Sequence, residues 1–206
     1  MENPETSQLA LWRSEFGRSY TDRNDHAKPE RKTSWARILE GIAATRVLEV
    51  GCNVGWNLEY LHQLGVPDLH GIEPQAYAVS RARARNASFQ VMQGTAFDLP
   101  YPDATFDLVF TSGVLIHIGP DELGAAMAEM HRVARRWIVA IEYDHPVEKE
   151  VAYRGHAGAL WKRDHREAWQ ARHPDLRLVK WIALGAADGY DDCIAHVFEK
   201  PEPGAH

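Results

Sequence analysis

Glu49-Val50-Gly51-Cys52-Asn53-Val54-Gly55 places two glycines and an asparagine where an apolar run, Val47 to Val50, gives way to a helix-forming segment. Glycines there let the chain turn sharply and let a ligand approach the main chain closely. The first N–H groups of the helix beyond are free to bind that ligand. About 20 residues on, Glu73 ends a second apolar run, where a carboxylate can accept hydrogen bonds from a ribose diol. Turn and acid together point to a nucleoside-containing ligand. A dinucleotide fingerprint requires Gly-x-Gly-x-x-Gly, whereas the spacing here is Gly51-x-Asn53-x-Gly55, which disfavours a nicotinamide-dependent oxidoreductase. The chain has no Gly-Lys-Ser/Thr phosphate loop, so ATP or GTP hydrolysis finds no support.

The elements that must position these residues alternate. Trp35, Ile38, Leu39 and Ile42 form one stripe of a helix, with Thr33 or Ser34 able to cap its first turn. From Arg46 the pattern changes to short apolar strands: Val47 to Gly51, Leu69 to Glu73, Phe89 to Gln93, Phe106 to Thr111, and Trp137 to Tyr143. Between the first two lies a helix bearing Leu58, Leu61 and Leu64, and Pro74 is placed to open the next one. Pro120, Asp121 and Glu122 start a helix whose face carries Leu123, Ala126, Met127, Met130 and Ala134. Strands and helices alternating over short connections imply parallel strands in a doubly wound sheet. Beyond His145-Pro146 the spacing predicts a helix over 157–172 with Leu160, Trp161, Ala168 and Trp169 on one side. Leu176 to Leu184 and Cys193 to Glu199 read as an antiparallel strand pair.

The chain has 206 residues, 45% of them hydrophobic, enough for one domain with a sizeable core. Lysine and arginine number 23 against 29 acids, a net charge of −6, which argues against a basic nucleic-acid-binding surface. Cys52 and Cys193 cannot build a disulfide framework, and the 11 histidines show no metal-ligand spacing, so no metal is expected. No apolar run reaches the roughly 18 residues that span a bilayer. Glu2 and Glu5 stand where a signal peptide carries positive charge, and the sequence reads as soluble and cytoplasmic.

With these motifs in order, the sequence resembles the class I S-adenosylmethionine-dependent methyltransferases from Val47 to Tyr143. Glu49, Gly51 and Gly55 match their motif Glu-x-Gly-x-Gly-x-Gly; Asn53 replaces the central glycine, and asparagine tolerates positive φ better than most residues. The resemblance implies that Glu73 holds the ribose hydroxyls, with Pro74 beside it. It also implies that Gly94-Thr95-Ala96 faces adenine, Thr95 standing where an aspartate is usual. Thr111-Ser112-Gly113 would lie along the methionine part. The implied fold is a Rossmann-like α/β sheet of seven strands, mostly parallel, with a C-terminal antiparallel pair and an N-terminal helical cap. Residues 1–45 would form the cap, 46–200 the cofactor-binding domain and 201–206 a disordered tail. A narrower resemblance runs through Trp12, Glu15-Phe16-Gly17, Tyr20, Arg23-Asn24, Gly113 to Ile118, Tyr153-Arg154-Gly155 and Lys162-Arg163-Asp164. These look like the pseudaminic acid biosynthesis-associated methylases, a group known mainly by its genomic context with nonulosonic sugar genes, and they imply a small polar acceptor.

In that frame Tyr20 and Arg23 belong to a lid near the cofactor carboxylate. His117, Tyr143 and His145 end strands on the edge where open sheets bind ligands, and they are the candidates to face the acceptor. Tyr153, Arg154, Trp161 and Arg163 offer planar forks and aromatic faces to an anionic acceptor such as a sugar, nucleotide-sugar or amino acid. A SAM-binding sensor or scaffold without turnover is the alternative.

Overall fold

The computed structural model describes residues 6–201, so the expected tail over 201–206, apart from Pro201, and the acidic residues Glu2 and Glu5 lie outside the described residues. Three helices come first: α1 (Ser7–Arg13), α2 (Glu15–Asn24) and α3 (Glu30–Leu39). The chain then alternates through β1 (Arg46–Val50), α4 (Trp56–Gln63), β2 (Asp68–Glu73), α5 (Ala76–Arg85), β3 (Gln90–Gln93) and β4 (Phe106–Ser112). A short 3-10 turn, Leu115–His117, leads to α6 (Pro120–Val133) and β5 (Ala134–Glu142). A strap follows with two small strands, β6 (Lys149–Glu150) and β7 (Trp161–Lys162), and then α7 (His165–Arg172), β8 (Arg177–Leu184) and β9 (Cys193–Glu199).

The sheet runs β3-β2-β1-β4-β5-β9-β8. The first five of these strands are mutually parallel. β9 is antiparallel to both β5 and β8, so it alone runs against the others and β8 returns to the common direction. The order steps outward in opposite directions from β1 and β4, and the C-terminal ends of those two strands form the crevice in which open α/β sheets bind ligands.

Alternation along the central strands splits the core in two. Val47, Phe110, Val139 and Ile141 face α3, α4 and α5, where Trp35, Ile38, Leu58, Leu61 and Ala82 meet them. Leu48, Val109, Ile138 and Ala140 face α6 and α7 through Leu123, Met127, Met130 and Trp169. Strands buried on both faces read as nearly continuous apolar runs, which is why their positions are plain in the sequence.

Three local expectations need correction. α3 begins at Glu30, a turn earlier than predicted, so Thr33 and Ser34 are interior; Ser34 Oγ instead donates to the Asp188 carbonyl at 3.2 Å. Pro74 precedes α5 by two residues, and Gln75 caps that helix. The predicted helix over 157–172 is only its second half. Gly155 and Gly158 adopt φ of 86° and 65°, Trp161 pairs with Glu150 across the strap, and Asp164 caps α7 by accepting from Glu167 N at 2.8 Å. Tryptophans at 161 and 169 satisfy a helical period, but left-handed glycines and a capping aspartate delay helix initiation to His165. Among the described residues no helix is long and apolar enough to cross a membrane.

Candidate active site

The crevice above β1 and β4 opens into a cavity of about 260 Å³ walled by the strand ends below and by α1, α2 and the strap above. Its floor is the glycine turn. Gly51 has φ +77°, and a Cβ there would lie 2.5 Å from Val114 Cγ2, so glycine is required by packing as well as by conformation. Gly55 also lies in the left-handed region at φ +78°, but a Cβ there would meet Ala82 and Phe89 at 3.5–3.8 Å. Gly55 therefore serves as the N-cap of α4, turned toward the core; it is outside the cavity lining, contrary to the expectation of close ligand approach.

Asn53 explains its own departure from glycine. Its φ of 46° is in the left-handed region that asparagine visits readily. Its N–H donates to Glu73 Oε2 at 2.9 Å, and its Oδ1 accepts from Thr21 Oγ1 of α2 at 3.0 Å. Glu73 Oε1 accepts from Gln75 N at 2.9 Å. Burial pushes the Glu73 carboxyl up to about 7, opposed by those two backbone donors. A carboxylate held from behind by two amides keeps its remaining lone pairs for the cavity, and a vicinal diol supplies the matching donors.

Gly94, Thr95 and Ala96 line the same cavity on the β3 side, and Ser112 and Gly113 on the β4 side. Gly113 has φ +69° and open space where a side chain would stand. Thr111 lies inside β4 and does not line the cavity. Glu49, fully buried, accepts from Asn57 Nδ2 at 2.6 Å through Oε1, while Oε2 has no partner; burial pushes its carboxyl up to about 8.

The turn after β4 is gripped from both ends. Glu142 accepts from the amides of Val114, Leu115 and Ile116 at 3.2–3.3 Å. Arg163, buried, donates to the carbonyls of Leu115 and Ile118 at 3.0 and 3.1 Å and pairs with Glu148 at 2.7 Å. Each of its three nitrogens is thus engaged by the fold and the residue lies outside the cavity lining, which corrects the expectation that Arg163 meets an acceptor. The clamp presents His117 to the cavity. His117 Nδ1 lies 2.6 Å from the Ala159 carbonyl, which can only accept, so Nδ1 carries the proton and Nε2 is left as an acceptor. Burial lowers the His117 pKa to about 4, and the ring is neutral at physiological pH. Trp12 and Tyr153 pack on it, with ring centroids at 4.6 and 5.1 Å.

Other predicted residues separate. Tyr20, Tyr143 and Tyr153 line the cavity, as does Pro74. Burial raises the Tyr20 hydroxyl to about 12 and pushes Tyr143 higher still. Arg23 is exposed on α2 and lies outside the lining; Tyr20, Thr21 and Asn24 face inward from the same helix. His145 is turned away, its ring nitrogens engaged by the Val147 backbone and by Lys149 Nζ at 2.9 Å. Arg154 is exposed with φ 50°, and Trp161 is buried with its ring over Gly119; neither lines the cavity. Sequence reasoning missed Trp12 as a wall, Thr21, and the pair Arg31 and Tyr190. It also missed one possible cation cluster: ligand atoms of His131, His173 and Asp175 lie within 4.8 Å of one another. The two rings stack in parallel at 4.2 Å, so their in-plane lone pairs do not converge on one ion.

Comparison with known proteins meets this geometry at its centre. Residues 48–137 match the methyltransferase domain family. An uncharacterized methyltransferase of Synechocystis sp. is 33% identical over 100 residues, 47% of each chain. A fatty-acid O-methyltransferase of Mycolicibacterium smegmatis is 37% identical over 71 residues, 33% of this chain and 26% of that one. The chain therefore spans about half or less of these relatives' lengths. Among solved structures, the 1,6-didemethyltoxoflavin-N1-methyltransferase of Burkholderia thailandensis, with bound 1,6-didemethyltoxoflavin and S-adenosylhomocysteine, superposes with a TM-score of 0.75 at 17% identity. The superposition covers 98% of this chain and 94% of that one. The fold is that of the class I methyltransferases, as the sequence implies, and the matched segment runs from β1 to β5.

Proposed function

We propose that this chain transfers the methyl group of S-adenosylmethionine to an oxygen or nitrogen of a small polar acceptor. The observation that carries the reading is Glu73: a buried carboxylate at the end of β2, backed by two amides and facing a cavity floored by a glycine turn. Its unspent lone pairs fit a ribose, and the open space at Gly113 fits a ligand lying against the end of β4. When bound, the cofactor supplies an activated sulfonium methyl. The protein's share of the work is alignment and exclusion of water. Trp12, Tyr20, Tyr143 and Tyr153 supply an aromatic wall on the acceptor side. His117 Nε2, unprotonated and turned to the cavity, takes the acceptor's proton where one must leave.

The narrower sequence likeness supports a nonulosonic sugar or its nucleotide-linked form as the acceptor class, with Tyr153 as its packing surface. Calorimetric titration with S-adenosylhomocysteine tests the cofactor assignment first: binding is expected, and its absence in folded protein overturns the proposal. With an acceptor found by S-adenosylhomocysteine release, His117→Gln is expected to lower kcat while leaving cofactor affinity intact.

A further inference from the structure

The cavity is charged unevenly across the sheet. Its cations, Lys28 and Arg31, line it on the α3 side, where the Lys28 amide donates to the Tyr60 hydroxyl of α4 at 2.6 Å and Arg31 Nε donates to the Gly189 carbonyl at 2.9 Å. On the opposite face, where α6 packs, the lining among the described residues holds a carboxylate and no cation. Glu122 stands there half-buried, in the first turn of α6. No described residue donates to its carboxylate or pairs with it, the Gly119 amide at the helix cap included. The acid therefore does not complete a capping box, the ordinary use of a glutamate at this position.

The neighbours of Glu122 in this corner also offer acceptors. Gln8 of α1 spends its amide nitrogen on the Gly158 carbonyl of the strap at 3.2 Å, which leaves its Oε1. Glu122 Oε2 and Gln8 Nε2 stand 2.8 and 3.7 Å from the point where a Cβ on Gly119 would sit, so the two side chains share one space. His117, more than nine-tenths buried and two residues before Gly119, lines the same cavity with Nε2 unpartnered among the described residues. A carboxylate, an amide oxygen and an unprotonated ring nitrogen can only accept. A lone carboxylate in a partly closed cavity carries a desolvation cost until a donor reaches it. A protonated amine meets this inventory, with three N–H donors and the opposite charge.

We infer that Glu122, with Gln8, is an ammonium-binding subsite that selects a methyl acceptor carrying a protonated amine, an amino sugar being one such chemistry. That the amine is the acceptor's rests on the function proposed above, through the place of His117 at the same corner; the subsite itself does not. The arginines expected to select an anion stand elsewhere: Arg154 is exposed outside the lining, and Arg163 is held behind the turn by Glu148 and two carbonyls.

The test titrates the S-adenosylhomocysteine complex with D-glucosamine, D-glucose and D-glucuronate, which share a ring and differ in charge, and reads binding from the melting temperature. In the parent protein glucosamine is expected to bind about tenfold or more tightly than glucose, and glucuronate more weakly than either. Glu122→Gln removes the charge and keeps the length of the side chain; the preference for glucosamine should vanish while S-adenosylhomocysteine affinity, by calorimetry, stays within about twofold. Asp121→Asn is the control. It removes an exposed acid from the same helical turn, outside the cavity lining, and should leave the preference intact. Equal binding or no binding by the three sugars overturns the inference, as does a preference for glucuronate or one that survives Glu122→Gln. An equal loss in Asp121→Asn assigns the preference to charge at a distance and also overturns it, and weaker S-adenosylhomocysteine binding in Glu122→Gln places the acid in the cofactor's site instead. Failure of the parent protein to bind S-adenosylhomocysteine at all refutes the proposed function, and the sugars are then titrated against the free protein. A glucosamine preference lost only in Glu122→Gln supports the subsite there, and no difference overturns it.

Discussion

Removing the charge of Glu73 is the sharpest perturbation, because the structure ties that charge to pH. Burial raises its carboxyl to about 7 in the free protein, whereas hydrogen bonding to a diol favours the ionised form. Ligand binding must then expel a proton wherever the free carboxyl still holds one. The sign follows: affinity for S-adenosylhomocysteine rises with pH up to and through neutrality and levels off above it. At pH 6 only about one site in eleven is ionised, which costs about 1.4 kcal/mol, and the dissociation constant should be about tenfold larger at pH 6 than at pH 8. Near pH 7 the binding heat should depend on buffer ionisation enthalpy in proportion to roughly half a proton released.

Glu73→Ala isolates the effect from Glu49 and Glu142, which also titrate near neutrality. The variant loses a charge-assisted contact of about 1.5–3 kcal/mol, so affinity at pH 8 should fall roughly 10- to 150-fold. Its pH dependence should flatten at the same time. Isothermal titration in two buffers at pH 6, 7 and 8 measures both quantities. A parent protein with constant affinity over that range, or a variant keeping the parent's slope, refutes the assignment of the proton to Glu73.

Arg163→Met strands the carbonyls of Leu115 and Ile118 in a buried turn, and each lost bond should cost about 1–3 kcal/mol, read as a lower melting temperature with faster exchange at 115–118. Gly17→Ala places a methyl 1.8 Å from the Trp12 carbonyl, so α1 and α2 must spread; amide exchange over 7–24 should rise with little change in the sheet. Glu49→Gln removes a fully buried carboxyl whose pKa is raised to about 8. The folded parent binds more protons than its unfolded chain between about pH 4.5 and 8, so its stability falls with rising pH there; the variant should gain on the order of 1–4 kcal/mol over the parent between pH 5 and 8 in denaturant titrations.

The strands and the acid at the end of β2 are legible because their signals are local: doubly buried strands read as apolar runs, and the turn-to-acid spacing is about one βα unit. The seven-strand count follows from the resemblance, while the strand order and the insertion of β9 between β5 and β8 emerge only in the structure. What stayed hidden depends on contacts distant in sequence. Arg31 meets the Gly189 carbonyl across 158 positions, and its neighbours are ordinary helix residues. The arginines that attracted notice, 154 and 163, sit in a dense polar-aromatic stretch, which is a signal of composition alone. Arg163 turned inward to meet carbonyls, and a guanidinium serving a backbone turn looks in sequence like one serving an anion. His117 and His145 likewise both follow strand ends. Only the Glu142–Arg163 clamp distinguishes them, by holding the first against the cavity while the second folds back on its own strap.

Asn53 ties these levels together and can be tested by restoring the residue its motif lacks. In Asn53→Gly the backbone conformation is kept, since glycine occupies φ near 46° without strain, and the amide that supports Glu73 is kept as well. The one loss is the side-chain bond to Thr21, which at about 0.5–1.5 kcal/mol holds α2 on the turn. The expected outcome is therefore a split: exchange over 15–24 increases by about 2- to 12-fold, the fold is intact, and S-adenosylhomocysteine affinity changes less than about threefold. A glycine variant in which α2 exchanges as slowly as in the parent would show that the cap is held elsewhere. One that loses cofactor affinity along with α2 protection would show that the cap is part of the binding site and that the asparagine is what keeps it closed.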